Sequence, residues 1–237
     1  MPFEIAQAAI EKYAPKEVIP STMGEPLLYS KFNDLLNLCK ARGIKLNITT
    51  NGTFPSKWNR ESGMIELLTA CKDIKVSTLA YEMGGINQIA WRKNIEQLLK
   101  CRHQLNHAGT NEFSTVSLQV TLHRENLSNL AEILHYAESI EINRIKWNPV
   151  VFLDSAPQEL RSRYELDKDT LSQIRQEFRN GALVSDKLKN EGSLFFENLS
   201  GKCPMAKDCD HCPFTDETWI WPDGHEDHCP NPMRRWK

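Results

Sequence analysis

The sequence predicts an α/β protein built around a parallel sheet of about five strands. Segments with the two-residue alternation of strands recur about every 30 to 40 residues. Segments with helical spacing of apolar residues separate them, so each strand must reach the next by a crossover. Such crossovers are right-handed and give parallel strands. Beyond Lys202 the periodicity stops, and Cys, Pro, His, Asp and Trp dominate.

The elements follow in order from local signals. Pro2 suits a first helical turn, Ser30 is placed to cap a helix, and Gly43 to end it. The predicted helices lie in MPFEIAQAAIEKY, in the stretch between Ser30 and Gly43, and in GMIELLTACK, INQIAWRKNIEQLLKCRHQL and NLSNLAEILHYAE. The predicted strands are KEVIPS, IKLNITT, IKVSTL, STVSLQVTL and NRIKWNPVVF.

The chain divides into three predicted units. Residues 1–153 form the alternating sheet and helices, and residues 154–200 form a helical bridge. The bridge contains DKDTLSQIRQEFRNG, a helix capped by Asp169 or Thr170 and ended by Gly181. Residues 201–237 cannot build an apolar core, so they are expected to need a metal or cluster.

Composition excludes several classes of function. The 237 residues carry a net charge of −2 and a pI near 6.4, without the basic stripe of a nucleic-acid-binding protein. No apolar run is long enough for a membrane span, and no signal peptide is recognisable, which predicts a cytoplasmic protein with reduced thiols. Cys39, Cys71 and Cys101 stand singly within helical patterns, whereas four cysteines fall in the last 35 residues. That clustering indicates a metal or cluster site near the C-terminus.

Polar residues follow the predicted strands, where parallel α/β folds place their binding sites. Any one of these loops is equally well an ordinary connection, but the whole row favours a small-molecule site. The loops carry residues 21–25, Asn51-Gly52-Thr53, Ser77-Thr78, residues 123–126 and Asn148-Pro149.

The first loop holds a carboxylate in a sharp turn. Gly24 permits the turn, and Pro26 fixes its exit and opens a helix. Glu25 would then lie across the strand ends, where it suits a ligand ammonium group; alternatively it only complements a helix dipole. Asn51, in a turn that leads to a helix, could bind a carboxylate or a sugar. Ser77 is either a hydroxyl donor or a structural residue.

These features together resemble the radical S-adenosylmethionine (SAM) superfamily, over the segment from the N-terminus to about Phe152. STMGEPLLY is similar to the family's GGEP loop, with Met23 in place of the first glycine. TTNGT and Ser77 match the ends of the two following strands, and VTLHRENLSNL matches the next, with Asn126 beginning its helix. The resemblance implies an incomplete (β/α)6 barrel, a partial TIM barrel.

The same resemblance implies the roles of the site residues. Gly24 and Glu25 would bind the SAM amino group, and Asn51 and Ser77 its carboxylate or ribose. Asn126 is a further candidate for binding this cofactor. The implied reaction forms a 5′-deoxyadenosyl radical that abstracts hydrogen from a substrate, and a peptide or protein is the substrate class suggested by analogy.

The tail resembles a SPASM or Twitch module, which carries an auxiliary iron–sulfur cluster. Cys212 and Cys229 frame a C-x11-G-x4-C pattern with Gly224 as its glycine, and Asp223-Gly224 predicts a hairpin turn. The resemblance implies that Cys212 and Cys229 ligate a [4Fe-4S] cluster, with Cys203 and Cys209 as further candidates. Spacing alone leaves a zinc site open, because three histidines are also available: His211, His225 and His228.

One defining element of the superfamily is missing from the sequence. No three cysteines have the C-x3-C-x2-C spacing that holds the SAM-binding [4Fe-4S] cluster. We therefore expect the chain to be a fragment or a split or truncated form, inactive in isolation, with a separate chain supplying the first strand and the cluster loop. The alternative function is a non-catalytic binding module, a degenerate barrel with a zinc-stapled tail.

Overall fold

The structure is a computed structural model, and it describes most of the chain. The described residues are 1–20, 24–82, 84–107, 114–152, 155–181, 183, 185, 187–195 and 217–227. Cys203, Cys209, Cys212 and Cys229, the predicted ligands of the tail, lie outside them.

The described strands form a parallel sheet in which each strand pairs with the next one along the chain. The sheet strands are β1 (Glu17–Val18), β2 (Lys45–Thr50), β3 (Cys71–Ser77), β4 (Thr115–Leu122), β5 (Arg144–Pro149) and β6 (Lys189–Glu191). This arrangement confirms the predicted α/β fold and is that of a partial TIM barrel. The sixth strand was not predicted, and it comes from the segment predicted as a helical bridge.

Helices connect the strands and cover one face of the sheet. They are α1 (Phe3–Tyr13), α2 (Phe32–Ala41), α3 (Glu61–Ala70), α4 (Leu79–Glu82), α5 (Gln88–His107), α6 (Leu130–Ser139), α7 (Gln158–Tyr164) and α8 (Lys168–Arg179). Short 3-10 helices lie at Pro26–Leu28, Ser56–Asn59, Arg124–Asn129 and Ser193–Phe195. None of the helices in the described part of the chain is long and apolar enough to cross a membrane.

Three local predictions were wrong. Cys71 begins β3 instead of continuing the helix before it, because α3 ends at Ala70 and the backbone of Cys71 is extended. Asp167, rather than Asp169 or Thr170, caps α8, since its carboxylate accepts a hydrogen bond from the backbone of Thr170 at 2.7 Å. Ser30 does not cap α2, whose N-cap position is Lys31.

The two faces of the sheet differ sharply in polarity. Ile48, Val76, Val120 and Trp147 are among the residues that point towards the helices, and all four are fully buried in the core. Alternate residues point to the other face, which we call the interior face. Its members on β2 to β5 are Lys45, Asn47, Thr49, Asp73, Lys75, Ser77, Thr115, Ser117, Gln119, Thr121, Arg144, Lys146 and Asn148. Parallel strands are usually apolar on both faces, so this polar lining distinguishes the interior face from an ordinary buried face.

The C-terminal segment contributes a small hairpin beside the first helix. Its strands, β7 (Trp219–Ile220) and β8 (Glu226–Asp227), pair antiparallel, and Gly224 adopts a positive φ of 86° in the turn. The hairpin predicted at Asp223-Gly224 is therefore confirmed. Glu226 receives hydrogen bonds from Lys12 at 2.7 Å and from the Tyr13 hydroxyl at 2.6 Å, which tie the hairpin to α1.

Candidate functional site

Glu25 connects the loop after β1 to the end of β2. One carboxylate oxygen, Oε1, accepts from the backbone N–H of Leu27 at 3.1 Å. The other, Oε2, accepts from the backbone N–H of Asn51 at 2.6 Å and from the Thr50 hydroxyl at 3.1 Å. Gly24 precedes it with a φ of 88°, a conformation that favours glycine. The turn therefore fixes the carboxylate at the carboxyl edge of the sheet.

Glu25 is a half-buried carboxylate that has no cationic partner in the described part of the chain. Burial raises the pKa of Glu25, against the opposing hydrogen bonds from Asn51, Leu27 and Thr50. None of the Lys and Arg side chains in the described residues forms an ion pair with it. Each carboxylate oxygen has more than one acceptor position, so a ligand ammonium could still bind.

The Asn51-Gly52 turn shapes the neighbouring loop. The Asn51 side-chain oxygen accepts from the backbone and the hydroxyl of Thr53, at 2.9 and 2.7 Å. Gly52 has a φ of 80°, and a Cβ at this position would lie 2.7 Å from the Trp91 ring. Gly52 is therefore required for both its conformation and its contact.

Helix α5 joins this turn to the end of β3. The Trp91 indole N–H donates to the backbone oxygen of Ser77 at 3.1 Å. The Asn94 amide donates to the backbone oxygen of Gly52 at 2.8 Å. Ser77 itself lies on the interior face and is half-buried. The ends of β2 and β3 are thus held together by side chains that the sequence analysis placed only in a helix.

Asn126 is buried in a separate polar cluster after β4. Its amide nitrogen donates to Glu82 at 2.9 Å and to the backbone oxygen of Thr121 at 2.9 Å, and its oxygen accepts from the backbone N–H of His123 at 3.0 Å. Glu82 also contacts the His123 ring at 2.8 Å. Because protein groups engage both ends of the Asn126 amide, its direct contact with a cofactor stays a prediction.

Asp73 organises the charges on the interior face. Its carboxylate accepts from the hydroxyls of Ser117 at 2.7 Å and Thr115 at 2.8 Å, and pairs with Arg144 at 3.4 Å and Lys146 at 3.3 Å. Burial acts to raise the pKa of Asp73, but the two hydroxyls and two cations outweigh it and hold the pKa below its ordinary value. No sequence motif signalled this cluster, because its members come from three strands.

The structure brings some of the predicted residues together and leaves others apart. Gly24, Glu25 and Asn51 share one corner of the carboxyl edge, and Trp91 links Ser77 to that corner. Asn126 belongs to the cluster around Glu82. Sequence reasoning missed Glu82, Trp91 and Asn94 as site residues, since each lies in a helix without a motif.

The described residues do not fit an iron–sulfur cluster or a metal ion. Cys39, Cys71 and Cys101 are buried, free thiols, and burial raises the pKa of each. Within the described ranges, no group of three or more His, Cys, Asp or Glu side chains could hold a metal. The four cysteines of the tail lie outside those ranges.

A sequential parallel sheet with a polar interior and a carboxylate at its carboxyl edge defines a partial TIM-barrel protein. Among solved structures, the fold is similar to that of SuiB from Streptococcus suis. One crystal structure of SuiB matches with a TM-score of 0.62 and 13% identity, over 97% of this chain and 54% of SuiB. SuiB bound to S-adenosylmethionine matches with a TM-score of 0.57 and 15% identity, over 81% of this chain and 43% of SuiB. At these identities the likeness is one of fold.

A third structure, SuiB bound to the precursor peptide SuiA, matches with a TM-score of 0.52 and 15% identity, over 82% of this chain and 43% of SuiB. Among curated proteins, the tungsten-containing aldehyde ferredoxin oxidoreductase cofactor-modifying protein of Pyrococcus furiosus is 28% identical over 130 residues. That match covers 51% of this chain and 34% of the relative, so the chain corresponds to about a third of that protein. No protein-family model matches the sequence.

Proposed function

We propose that this chain forms the SAM-binding barrel of a radical SAM-type enzyme. The single observation that carries the proposal is the hydrogen bond from Asn51 to Glu25 at 2.6 Å. It joins the two loops whose GEP and TNG sequences resemble that superfamily, at the edge where parallel barrels bind ligands. The shared fold with SuiB, which has been crystallised with S-adenosylmethionine, supports the same function.

In this proposal the residues at the carboxyl edge bind and orient SAM. Glu25 accepts hydrogen bonds from the SAM ammonium group, whose positive charge would compensate the half-buried carboxylate. Gly24 allows close approach, and Asn51 and Ser77 contact the carboxylate or the ribose. Asn126 contributes by holding the loop after β4 against Glu82.

The chemistry proposed for the complete system is radical hydrogen abstraction. With a reduced [4Fe-4S] cluster, bound SAM would supply a 5′-deoxyadenosyl radical that removes a hydrogen atom from the substrate. The residues described here do not fit that cluster, and the sequence has no C-x3-C-x2-C motif. We propose that cysteines outside these 237 residues supply those thiolates, and that Cys212 and Cys229, with Cys203 and Cys209, hold an auxiliary [4Fe-4S] cluster.

The proposed substrate is a peptide or a protein. Support comes from the structure of SuiB with its precursor peptide SuiA, which has the same fold. The polar interior face provides a surface on which such a substrate could be bound below the SAM residues.

SAM binding tests the proposal without requiring an active enzyme. Isothermal titration calorimetry on the full chain should show saturable SAM binding, weakened about tenfold in Glu25→Gln, because a charge-assisted hydrogen bond is lost. Glu159→Gln, at an exposed glutamate of α7, is the matched control and should bind as the unmodified chain does. 5′-Methylthioadenosine lacks the ammonium group, so it should bind Glu25→Gln and the unmodified chain with equal affinity. Failure to bind SAM, or equal SAM affinity in Glu25→Gln, would contradict the proposal.

A further inference from the structure

On β3 to β5 the interior face carries three cationic side chains, and two of them are paired with carboxylates. Arg144 pairs with Asp73 at 3.4 Å and with Glu191 at 3.2 Å, and Lys146 pairs with Asp73 at 3.3 Å. Both cationic side chains of β5 therefore already have carboxylate partners. The third cation, Lys75, lies across the sheet on β3.

Lys75 occupies the middle of the interior face. The strand register places it between Thr49 on β2 and Ser117 on β4. Its ammonium group donates a hydrogen bond to the side-chain oxygen of Asn47. Within the described residues no carboxylate lies within 4 Å of the Lys75 nitrogen, so its charge has a neutral partner only.

The other charged groups near Lys75 form their ion pairs or hydrogen bonds with other residues. Glu17 on β1 pairs with Lys72, and Asp73 pairs with the two cations of β5. Glu217, from the C-terminal segment, interacts electrostatically with Lys75, but its carboxylate forms a hydrogen bond with Trp219. Burial lowers the pKa of Lys75 to about 8, and the positive charge of Lys146 adds to this effect. A partly buried ammonium that forms no ion pair within the described residues is costly, which indicates a site prepared for an anion.

We propose that Lys75 binds a carboxylate group of the substrate inside the barrel. Lys75 has no carboxylate partner among the described residues and is flanked by neutral hydrogen-bonding groups. One such cation suits a singly charged carboxylate better than a phosphate dianion, because Arg144 and Lys146 are already paired. Lys75 precedes Ser77 by two residues, about 7 Å along the strand. A carboxylate on Lys75 would thus lie below the residues assigned to SAM. This inference rests on the proposed function for its position beside SAM.

Acetate is the probe, and nuclear magnetic resonance of the lysine side chains is the readout. Reductive ¹³C-methylation of the full chain labels every lysine and retains its charge, and the Lys75 signal is assigned as the one lost in Lys75→Arg. Acetate should shift this signal saturably, with a half-saturating concentration at least about tenfold below that of chloride at equal ionic strength. The exposed Lys189 is the internal control and should show no saturable shift.

The outcomes separate this inference from the proposed function. No saturable shift with acetate, or tighter binding of inorganic phosphate than of acetate, would overturn the carboxylate assignment. Lys75→Met should lose acetate binding measured by calorimetry, while Lys75→Arg retains it; folding of both is checked by circular dichroism. SAM titrations of the same samples test the proposed function separately, because Lys75 is not among the residues assigned to SAM. Acetate binding without SAM binding would therefore reject the proposed function and support the anion site. SAM binding without acetate binding would support the proposed function and reject the anion site.

Discussion

The carboxylate of Glu25 accepts a hydrogen bond from the backbone N–H of Asn51 at 2.6 Å, across the ends of two neighbouring strands. The two residues are 26 positions apart in the sequence and belong to different motifs. This hydrogen bond joins the loop after β1 to the loop after β2, so each loop stabilises the position of the other. Changes at Glu25 should therefore affect the stability of the fold as well as ligand binding.

Truncation of Glu25 should destabilise the chain more than neutralisation. Glu25→Ala removes the acceptor for the N–H groups of Asn51 and Leu27, with an expected loss of about 1–3 kcal/mol in the free energy of unfolding. Glu25→Gln keeps one oxygen acceptor and should lose less. Urea unfolding measures both, with Glu159→Ala as the exposed control. Equal stability of Glu25→Ala and Glu159→Ala would show that the bond between the loops is unimportant for stability.

Gly52→Ala should destabilise the chain through a steric clash. The new Cβ would lie 2.7 Å from Trp91, in addition to the cost of a positive φ. Gly43→Ala is the matched control, because Gly43 has a φ of 68° and open space around its Cβ position. We expect Gly52→Ala to cost about 1–3 kcal/mol more than Gly43→Ala in thermal or urea unfolding. Similar losses in the two variants would refute the clash.

Asp73 should make folding stability depend on acid pH. Because its pKa is lowered in the folded state despite burial, its contribution is present above the unfolded pKa and is lost as the pH falls through the folded pKa. Asp73→Asn should therefore be less stable at neutral pH and show a shallower loss of stability in acid. Unfolding curves between about pH 7 and pH 3 measure the slopes. Asp169→Asn, at an exposed carboxylate, should keep the slope of the unmodified chain.

Glu82 and Asn126 should be energetically coupled. Their contact at 2.9 Å is partly buried, so removing either side chain leaves a poorly solvated polar partner unsatisfied. A double-mutant cycle with Glu82→Ala and Asn126→Ala should give a coupling free energy of about 0.5–3 kcal/mol. Asn190, which bonds Trp147 instead, provides the control cycle with Glu82 and should give additive losses. Additivity in the first cycle would mean that the contact does not support the loop after β4.

The cysteines of the tail should bind an iron–sulfur cluster. Anaerobic reconstitution with iron and sulfide should give a coloured protein with stoichiometric iron and sulfide, and Cys212→Ala or Cys229→Ala should lose the colour. Cys101→Ala, at a buried thiol of α5, is the control and should keep it. A colourless protein that binds zinc tightly would instead support the non-catalytic alternative with a zinc-stapled tail.

Local sequence patterns were sufficient for most of the fold. Alternating residues such as those of IKLNITT, and helical stripes between them, predicted five strands of the parallel sheet and their order along the chain. The sixth strand, Lys189–Glu191, has no apolar alternation, and only its pairing with β5 makes it a strand. Cys71 was wrongly placed because an apolar residue at a helix end fits both patterns, and its burial in β3 depends on neighbours distant in sequence.

The candidate site divides in the same way. Gly24, Glu25, Asn51 and Ser77 could be identified from the chain because turn chemistry and motifs are properties of consecutive residues. Three features of the site could not be predicted from the chain. They are the hydrogen bond between Glu25 and Asn51, the contact of Trp91 with Gly52, and the lack of a carboxylate partner for Lys75 within the described residues. Each depends on side chains from different strands and helices, whose distances are set by the packing of the sheet and by no local pattern.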